Sequence, residues 1–261
     1  MPETNDNIAN AKIAKHDAPG EGRAPQVQPA NAQFEVGSYV TFGRYPQNSG
    51  DTPEPIEWLV LDNDGKTALL LSKYGLDCQP FHGKCVETSW RECDLRRWMN
   101  RDFLSRAFSA DEQGRIFDSS VYTGDNPHFG TRGCGLTCDK LFCLSLEEAW
   151  KYFSGTKKKY GCKERWHSDA ADANWWVCRE RACKATAYAV SNGAYIGANS
   201  ESYYGKAREW WFDNCFFWLR SQTLGAEFAA YVNNSGAVAI HGCEVNFKNR
   251  AVRPALRIKL Q

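Results

Sequence analysis

Eleven cysteines and five histidines are the side chains of this 261-residue chain with most scope for chemistry, and their spacing decides what that chemistry could be. His128, Cys134, Cys138, Cys143 and Cys162 combine imidazole with thiolate, donors that suit zinc. Their intervals do not form a zinc pattern. No Cys-x-x-Cys occurs, and Cys143 stands in the apolar run Leu141-Phe142-Cys143-Leu144, where it is expected to face the core as a small hydrophobe. The stretch Gly130-Thr131-Arg132-Gly133-Cys134-Gly135 is rich in glycine but lacks the Gly-Lys-Ser/Thr ending of a phosphate loop, so it reads as a surface loop. No Gly-x-Ser-x-Gly elbow accompanies the histidines, and hydrolase chemistry has no support. Lys157, Lys158 and Lys159, with Lys163 and Arg165, form a short basic run that reads as a solvated loop and not as a nucleic-acid contact. These residues lead to the expectation of no catalytic residue, no metal site and no cofactor.

Composition sets the frame in which such residues must be held. The chain is 43% hydrophobic and 24% charged with a net charge of +1, which gives it enough apolar material for a sizeable core and no general attraction to nucleic acid. No run approaches the ~18 consecutive apolar residues of a membrane span. The start from Met1 to Asn10 is polar and acidic and lacks the basic and apolar regions of a signal peptide, so a cytoplasmic location is expected, with the odd number of cysteines reduced. From Met1 to Gln33 there is neither an aromatic residue nor a cysteine. Such a stretch cannot bury enough apolar surface to offset its ordering entropy, so 1–33 is expected to be a disordered tail and 34–261 one folded domain.

Within the domain, Val36 to Phe42, Ile56 to Leu61 and Ala68 to Leu71 read as strands, the last two joined by an Asn63-Asp64-Gly65 turn. Helix starts are expected at Ser89-Trp90-Arg91-Glu92 and at Ser145-Leu146-Glu147-Glu148, where Ser and Glu stand three apart ahead of apolar residues at helical spacing, and Gly155 should close the second helix. Val252, Pro254, Leu256, Ile258 and Leu260 alternate with Arg253, Arg257 and Lys259, the pattern of a half-exposed strand in which Pro254 suits an edge or an end. Three apolar blocks in the last third, Phe216 to Ser221, Ala229 to Gly236 and Ala251 to Ile258, alternate with polar, small and aromatic spacers. Strands that fix the ends of loops in this way are how binding surfaces are built.

Seven blocks, in order, carry a resemblance: Phe42-Gly43-Arg44-Tyr45-Pro46-Gln47, Ile56 to Leu61, Leu70-Leu71-Ser72-Lys73-Tyr74-Gly75-Leu76-Asp77, Cys93-Asp94-Leu95-Arg96-Arg97-Trp98-Met99-Asn100, Ala185-Thr186-Ala187-Tyr188-Ala189, Trp218-Leu219-Arg220-Ser221 and Ala251 to Leu256. Together they resemble a bacterial domain family of uncharacterised function that is similar to the C-type-lectin fold, which formylglycine-generating enzymes and the variable proteins of diversity-generating retroelements also use. The resemblance implies an α+β domain whose first and last strands pair near the chain ends, with a long irregular segment carrying the ligand surface. It implies a non-catalytic binding protein, cytoplasmic or phage-associated, for a protein or cell-surface ligand. The candidate ligand-binding residues are Trp211, Phe212, Phe216, Thr223, Leu224, Phe228, Ile240, His241, Glu244 and Phe247.

Retroelement diversification rewrites adenines, so an Asn codon can become many residues but never Glu, Gln, Lys, Met or Trp. Phe212, Asp213, Asn214, Phe216, Thr223, Leu224, Phe228, Ala239, Ile240, His241, Asn246 and Phe247 pass that filter, while Gln222, Glu227, Glu244 and Lys248 do not. The competing reading is an oxidase of the formylglycine-generating type. Cys178 and Cys183 have the spacing of that enzyme's copper-binding pair, but they precede the Ala185 block and lack the Arg-Gly-Gly-Ser-Trp motif, so both are assigned to structure.

Overall fold

β1 (Tyr39–Pro46) and β2 (Pro53–Asn63), rich in β-branched and aromatic residues among polar ones, form an antiparallel meander with β3 (Thr67–Ser72), an apolar run buried throughout. The computed structural model describes residues 34–153, 178–197 and 213–260. The expected tail, the helix end at Gly155, the Lys157 to Trp176 stretch, Trp211 and Phe212 lie outside the described residues. β1 starts later than its sequence suggests because Ser38 N donates to Glu35 O (3.0 Å) in a turn. The expected turn between β2 and β3 is held by Asp64, whose carboxylate accepts from Lys66 N (2.9 Å), Thr67 N (2.7 Å) and Thr67 Oγ1 (2.9 Å).

The helices are short and begin where side chains satisfy their free amides. α1 (Asp94–Trp98) runs into a π-helical turn (Met99–Phe103) and then α2 (Leu104–Ala107). The cap expected at Ser89 is instead Cys93, whose Sγ accepts from Arg96 N at 3.4 Å. Ser89 O accepts from both Glu92 N and Cys93 N, so the residues before α1 close a turn and the helix begins afterwards. Ser109 and Glu112 form a reciprocal capping box on α3 (Ala110–Arg115), and Ser145 and Glu148 form the expected one on α4 (Leu146–Lys151). α5 (Ala187–Ser191) is capped by Thr186 Oγ1, which accepts from Ala189 N at 3.1 Å.

The remaining strands complete a strand-rich α+β architecture. They are β4 (Asp77–Cys78), β5 (Ser119–Thr123), β6 (Gly135–Asp139), β7 (Leu141–Phe142), β8 (Phe217–Gln222), β9 (Phe228–Val232), β10 (Val238–Glu244), β11 (Ala251–Val252) and β12 (Ala255–Lys259). One sheet has the order β1-β2-β3-β12-β7, a second β10-β9-β8-β11-β4, and β5 pairs with β6 alone. Among the described residues the first strand, β1, and the last, β12, do not pair with each other. β12 lies between β3 and β7, pairing antiparallel with both. At the far edge, Gly43 (φ 70°) lies within the bulge of β1, and a Cβ there would collide with the Phe108 ring that packs against it.

Arg253 is not on an exposed face. The chain leaves the second sheet at β11 and enters the first at β12, and Pro254 stands at that break. Arg253 is buried there, donating to Ser72 O (2.9 Å) and Arg181 O (2.8 Å), with its guanidinium 5.1 Å from the Phe217 ring. β8 is central to the second sheet and buried along its whole length, so both faces of the Phe216-Phe217-Trp218 run meet other elements. Trp218 packs edge-on against Phe81 and donates Nε1 to Gln79 O (2.9 Å).

Candidate functional site

Four of the residues proposed from sequence lie on β9 and β10, Phe216, Thr223, Leu224 and Phe247 lie in the segments next to β8 and β10, and burial divides them. Leu224 is 53% exposed and Phe247 41%, and His241 and Glu244 are also exposed. Phe216 and Phe228 are half-buried. Thr223 (0%) and Ile240 (8%) belong to the interior, which corrects the expectation that they present side chains to a ligand. Thr223 Oγ1 donates to His241 O (2.7 Å), its N–H donates to Phe228 O (3.1 Å), and its carbonyl accepts from Thr131 Oγ1. These bonds occupy the whole residue in joining the β8–β9 turn to β10. Ile240 alternates inward with Val238, leaving Ala239 and His241 outward. Gly242 (φ 69°) then lets β10 pass close over Thr223 and Ala229.

The exposed and half-buried residues fall into separate groups, Leu224 just after the end of β8 and Phe216 just before its start. Leu224 follows Thr223, which is bonded to His241 O; the His241 ring lies tilted against Phe129 with centroids 5.3 Å apart, and Phe228 faces Glu244 across the strands. Phe216 and Phe247 instead flank Arg250, whose guanidinium also lies 4.3 Å from the Tyr231 ring. Of the positions that pass the adenine filter, Asn214, Thr223 and Ile240 are buried, so free diversification there would disturb the core.

The cysteines are placed differently from any site imagined for them. Cys178 donates to Phe153 O (3.0 Å), while Cys183 faces Cys215 across 3.6 Å between sulfurs, so Cys178 and Cys183 have different partners. Among the described residues, no three His, Cys, Asp or Glu side chains gather closely enough to hold a metal ion. Cys143 is buried beside Met99, and burial pushes its thiol up to about 12. Cys162 lies outside the described residues. The glycine-rich stretch forms the connection between β5 and β6, tied to β8 by Asn126 Nδ2 donating to Gln222 O (2.8 Å).

A cavity of about 440 Å³ was not foreseen from the sequence. Its wall is built by Tyr45 at the end of β1, Asp77 on β4, Trp98 and Asp102 around the π-helical turn, Arg106 on α2 and Tyr188 on α5. Four of the seven blocks that carry the sequence resemblance therefore meet here. Asp77 is buried, and its carboxylate accepts from Tyr45 OH (2.5 Å), Cys78 N (2.6 Å) and Asn192 Nδ2 (3.0 Å). Burial, reinforced by the Asp77 charge, holds the Tyr45 hydroxyl well above the ordinary tyrosine value, so it remains a donor. Arg106 lies against the Tyr45 and Tyr188 rings (5.0 and 5.3 Å) and donates to Tyr188 OH (2.9 Å) and to the exposed Asp51 (3.1 Å). One signal in the chain could have pointed to this site: Asp77 is an acid between the buried residues Leu76 and Cys78.

Residues 65–260, well over half of the chain, match the sequence profile of a domain of unknown function (DUF6273). The chain belongs to that family. The matched span holds Asp77, Trp98, Asp102, Arg106 and Tyr188 but begins after Tyr45, and it includes the whole of the β8–β10 face. No curated protein and no solved structure matches the DUF6273 chain. No helix among the described residues is long and apolar enough to cross a membrane.

Proposed function

We propose that this DUF6273 chain is a non-catalytic ligand-binding domain of C-type-lectin-like kind, related to the variable proteins of diversity-generating retroelements. The ligand face comprises Leu224, His241, Glu244 and Phe247, with Phe216 and Phe228 at its base. The observation that carries this reading is the contrast within one turn: Leu224 is exposed while Thr223, its neighbour, is fully buried and bonded on every polar group. A backbone fixed from beneath holds its outward side chains without much further ordering on binding, which favours affinity. Aromatic and aliphatic side chains displayed on such a frame suit a protein or cell-surface ligand.

The reading is tested by displaying a library randomised at Leu224, His241, Glu244 and Phe247 and selecting it against an immobilised protein such as lysozyme. Most members should resist protease as the parent does, and binders should emerge whose specificity follows the four positions. Loss of protease resistance across the library would place these residues in the scaffold. The retroelement relationship has its own test in the coding DNA: a neighbouring reverse transcriptase and a near-copy of the last coding segment differing at adenines. A coding region without either refutes diversification while leaving the binding reading to the library.

A further inference from the structure

The Asp77 cavity lies outside the proposed ligand face, and its charges point to a ligand class of their own. Asp77 is 3% exposed, and no Lys, Arg or His among the described residues forms an ion pair with it. All three of its hydrogen bonds come from uncharged donors: a phenol, a backbone amide and a side-chain amide. A carboxylate has roughly four acceptor positions, so about one remains open. Buried charges are ordinarily paired, and a buried carboxylate on the wall of a cavity with an open acceptor position calls for a cationic donor from the ligand. Asp102, a second carboxylate on the same wall, is half-exposed and its neighbour Arg101 lies 3.7 Å away, so it adds negative charge at the rim.

Arg106 adds the opposite requirement. Its Nη1 lies 3.5 Å from Tyr45 OH, which is 2.5 Å from Asp77, so the two unlike charges stand on either side of one phenol. The tyrosine rings fix the guanidinium plane. Its Nε–H makes no hydrogen bond among the described residues, and its ion pair is to Asp51, whose side chain is 86% exposed. An exposed pair of this kind contributes little and exchanges readily with a bound anion. A simple amine would bring its charge against Arg106, a simple carboxylic acid would meet Asp77 and Asp102, and an uncharged polyol would leave the buried Asp77 without an ionic partner. The half-buried Trp98 borders the cavity beside these polar groups, and the volume lies within the range of small-molecule sites.

We propose that this cavity binds a small zwitterion of the α-amino-acid kind, its ammonium group on Asp77 and Asp102 and its carboxylate on Arg106. The proposal is independent of the β8–β10 ligand face.

Calorimetric titration of the full chain against the twenty common α-amino acids tests it, followed by the amine and the carboxylic acid that match whichever amino acid binds. One or more amino acids should bind with a stoichiometry of one. The matched amine and acid should each bind at least about tenfold more weakly, the loss expected for one hydrogen-bonded charge. Arg106→Gln should abolish the preference for the amino acid over its amine, and Asp102→Asn should weaken both. Asp77→Asn tests the central contact, but Asp77 also holds Tyr45, Cys78 and Asn192, so the decision rests on Arg106→Gln and Asp102→Asn, with the fold of each verified by circular dichroism. Absence of binding by every amino acid, equal binding of the amine, or affinity unchanged in both folded variants would overturn the assignment.

Discussion

Arg220 offers the sharpest test of how the second sheet is held. Its five N–H groups all have acceptors: Nε donates to Thr123 Oγ1 (3.1 Å), Nη1 to Cys143 O (2.7 Å) and Glu148 Oε2 (2.5 Å), Nη2 to Tyr122 O (2.7 Å) and Glu148 Oε1 (3.1 Å). The side chain of Arg220 is 1% exposed and that of Glu148 28%, so the two ends of the ion pair differ in their access to water. Arg220→Met keeps much of the volume but removes every donor. Glu148 can rehydrate, while the neutral acceptors lose their partners at about 1–3 kcal/mol each where buried, which with the broken pair gives a loss of about 4 kcal/mol. Glu148→Gln keeps the shape and the helix cap, since glutamine serves equally in a capping box, yet it leaves a guanidinium in the interior without its counter-charge. That substitution should cost at least as much as Arg220→Met, although it changes fewer atoms.

The double variant carries the decisive information. With both charges gone, the penalty for burying an unpaired guanidinium disappears, and the loss should fall short of the sum of the single losses by about 2 kcal/mol or more. The assay is urea unfolding of the full chain followed by tryptophan fluorescence, with unchanged m values confirming that the comparison concerns stability. A domain stable by about 5–15 kcal/mol would show these shifts plainly. Additive losses, or a cost below about 1 kcal/mol for Arg220→Met, would refute the claim that this arginine is a desolvated, fully paired link between β8, α4 and β5.

Thr223→Val should cost about 1–2 kcal/mol in the same assay through loss of the bond to His241 O, whereas Leu224→Ser should change stability by no more than about 0.5 kcal/mol; the reverse order would overturn the division between frame and ligand face. The Asp64 carboxyl is lowered to about 2, first by the Thr67 and then the Lys66 backbone N–H. A depressed value means that its contribution is fully present above the unfolded value of about 4 and is lost as pH falls through about 2. Asp64→Asn should therefore flatten the thermal stability profile over that acid window and leave its shape at neutral pH unchanged. A wild-type and variant pair with parallel profiles between about pH 4 and 2 would show that the turn does not titrate in this way.

Local chemistry was readable in the chain, and long-range pairing was not. The Ser145–Glu148 box and the Asn63-Asp64-Gly65 turn involve partners within a few residues, so spacing alone fixes them. Cys93 escaped that reading because a thiol is an unusual cap, and the true acceptor stood just beyond the expected serine. Individual strands and helices follow from sequence patterns, but the position of β12 beside β3 depends on contacts nearly two hundred residues apart, such as Ala255 opposite Leu71. The cavity is harder still, since Tyr45, Asp77, Arg106 and Tyr188 come from four separate elements and nothing in their spacing brings them together.

Alternation also misleads where a strand changes sheet. Arg253 occupies the polar phase of a pattern running from Val252 to Leu260, and a continuous strand would have turned it to water. Pro254 has no N–H and fixes its own φ, so the ladder cannot run through it unchanged, and the chain uses the interruption to pass from one sheet to the other. A side chain at such a crossing is enclosed by both sheets whatever its polarity. Arginine serves there because its donors reach carbonyls on two sides, Ser72 O and Arg181 O, while its plane lies over Phe217 and Phe153. A proline inside an alternating terminal block is thus the sequence signal for the crossing, and the arginine before it is the residue that secures the two sheets to each other.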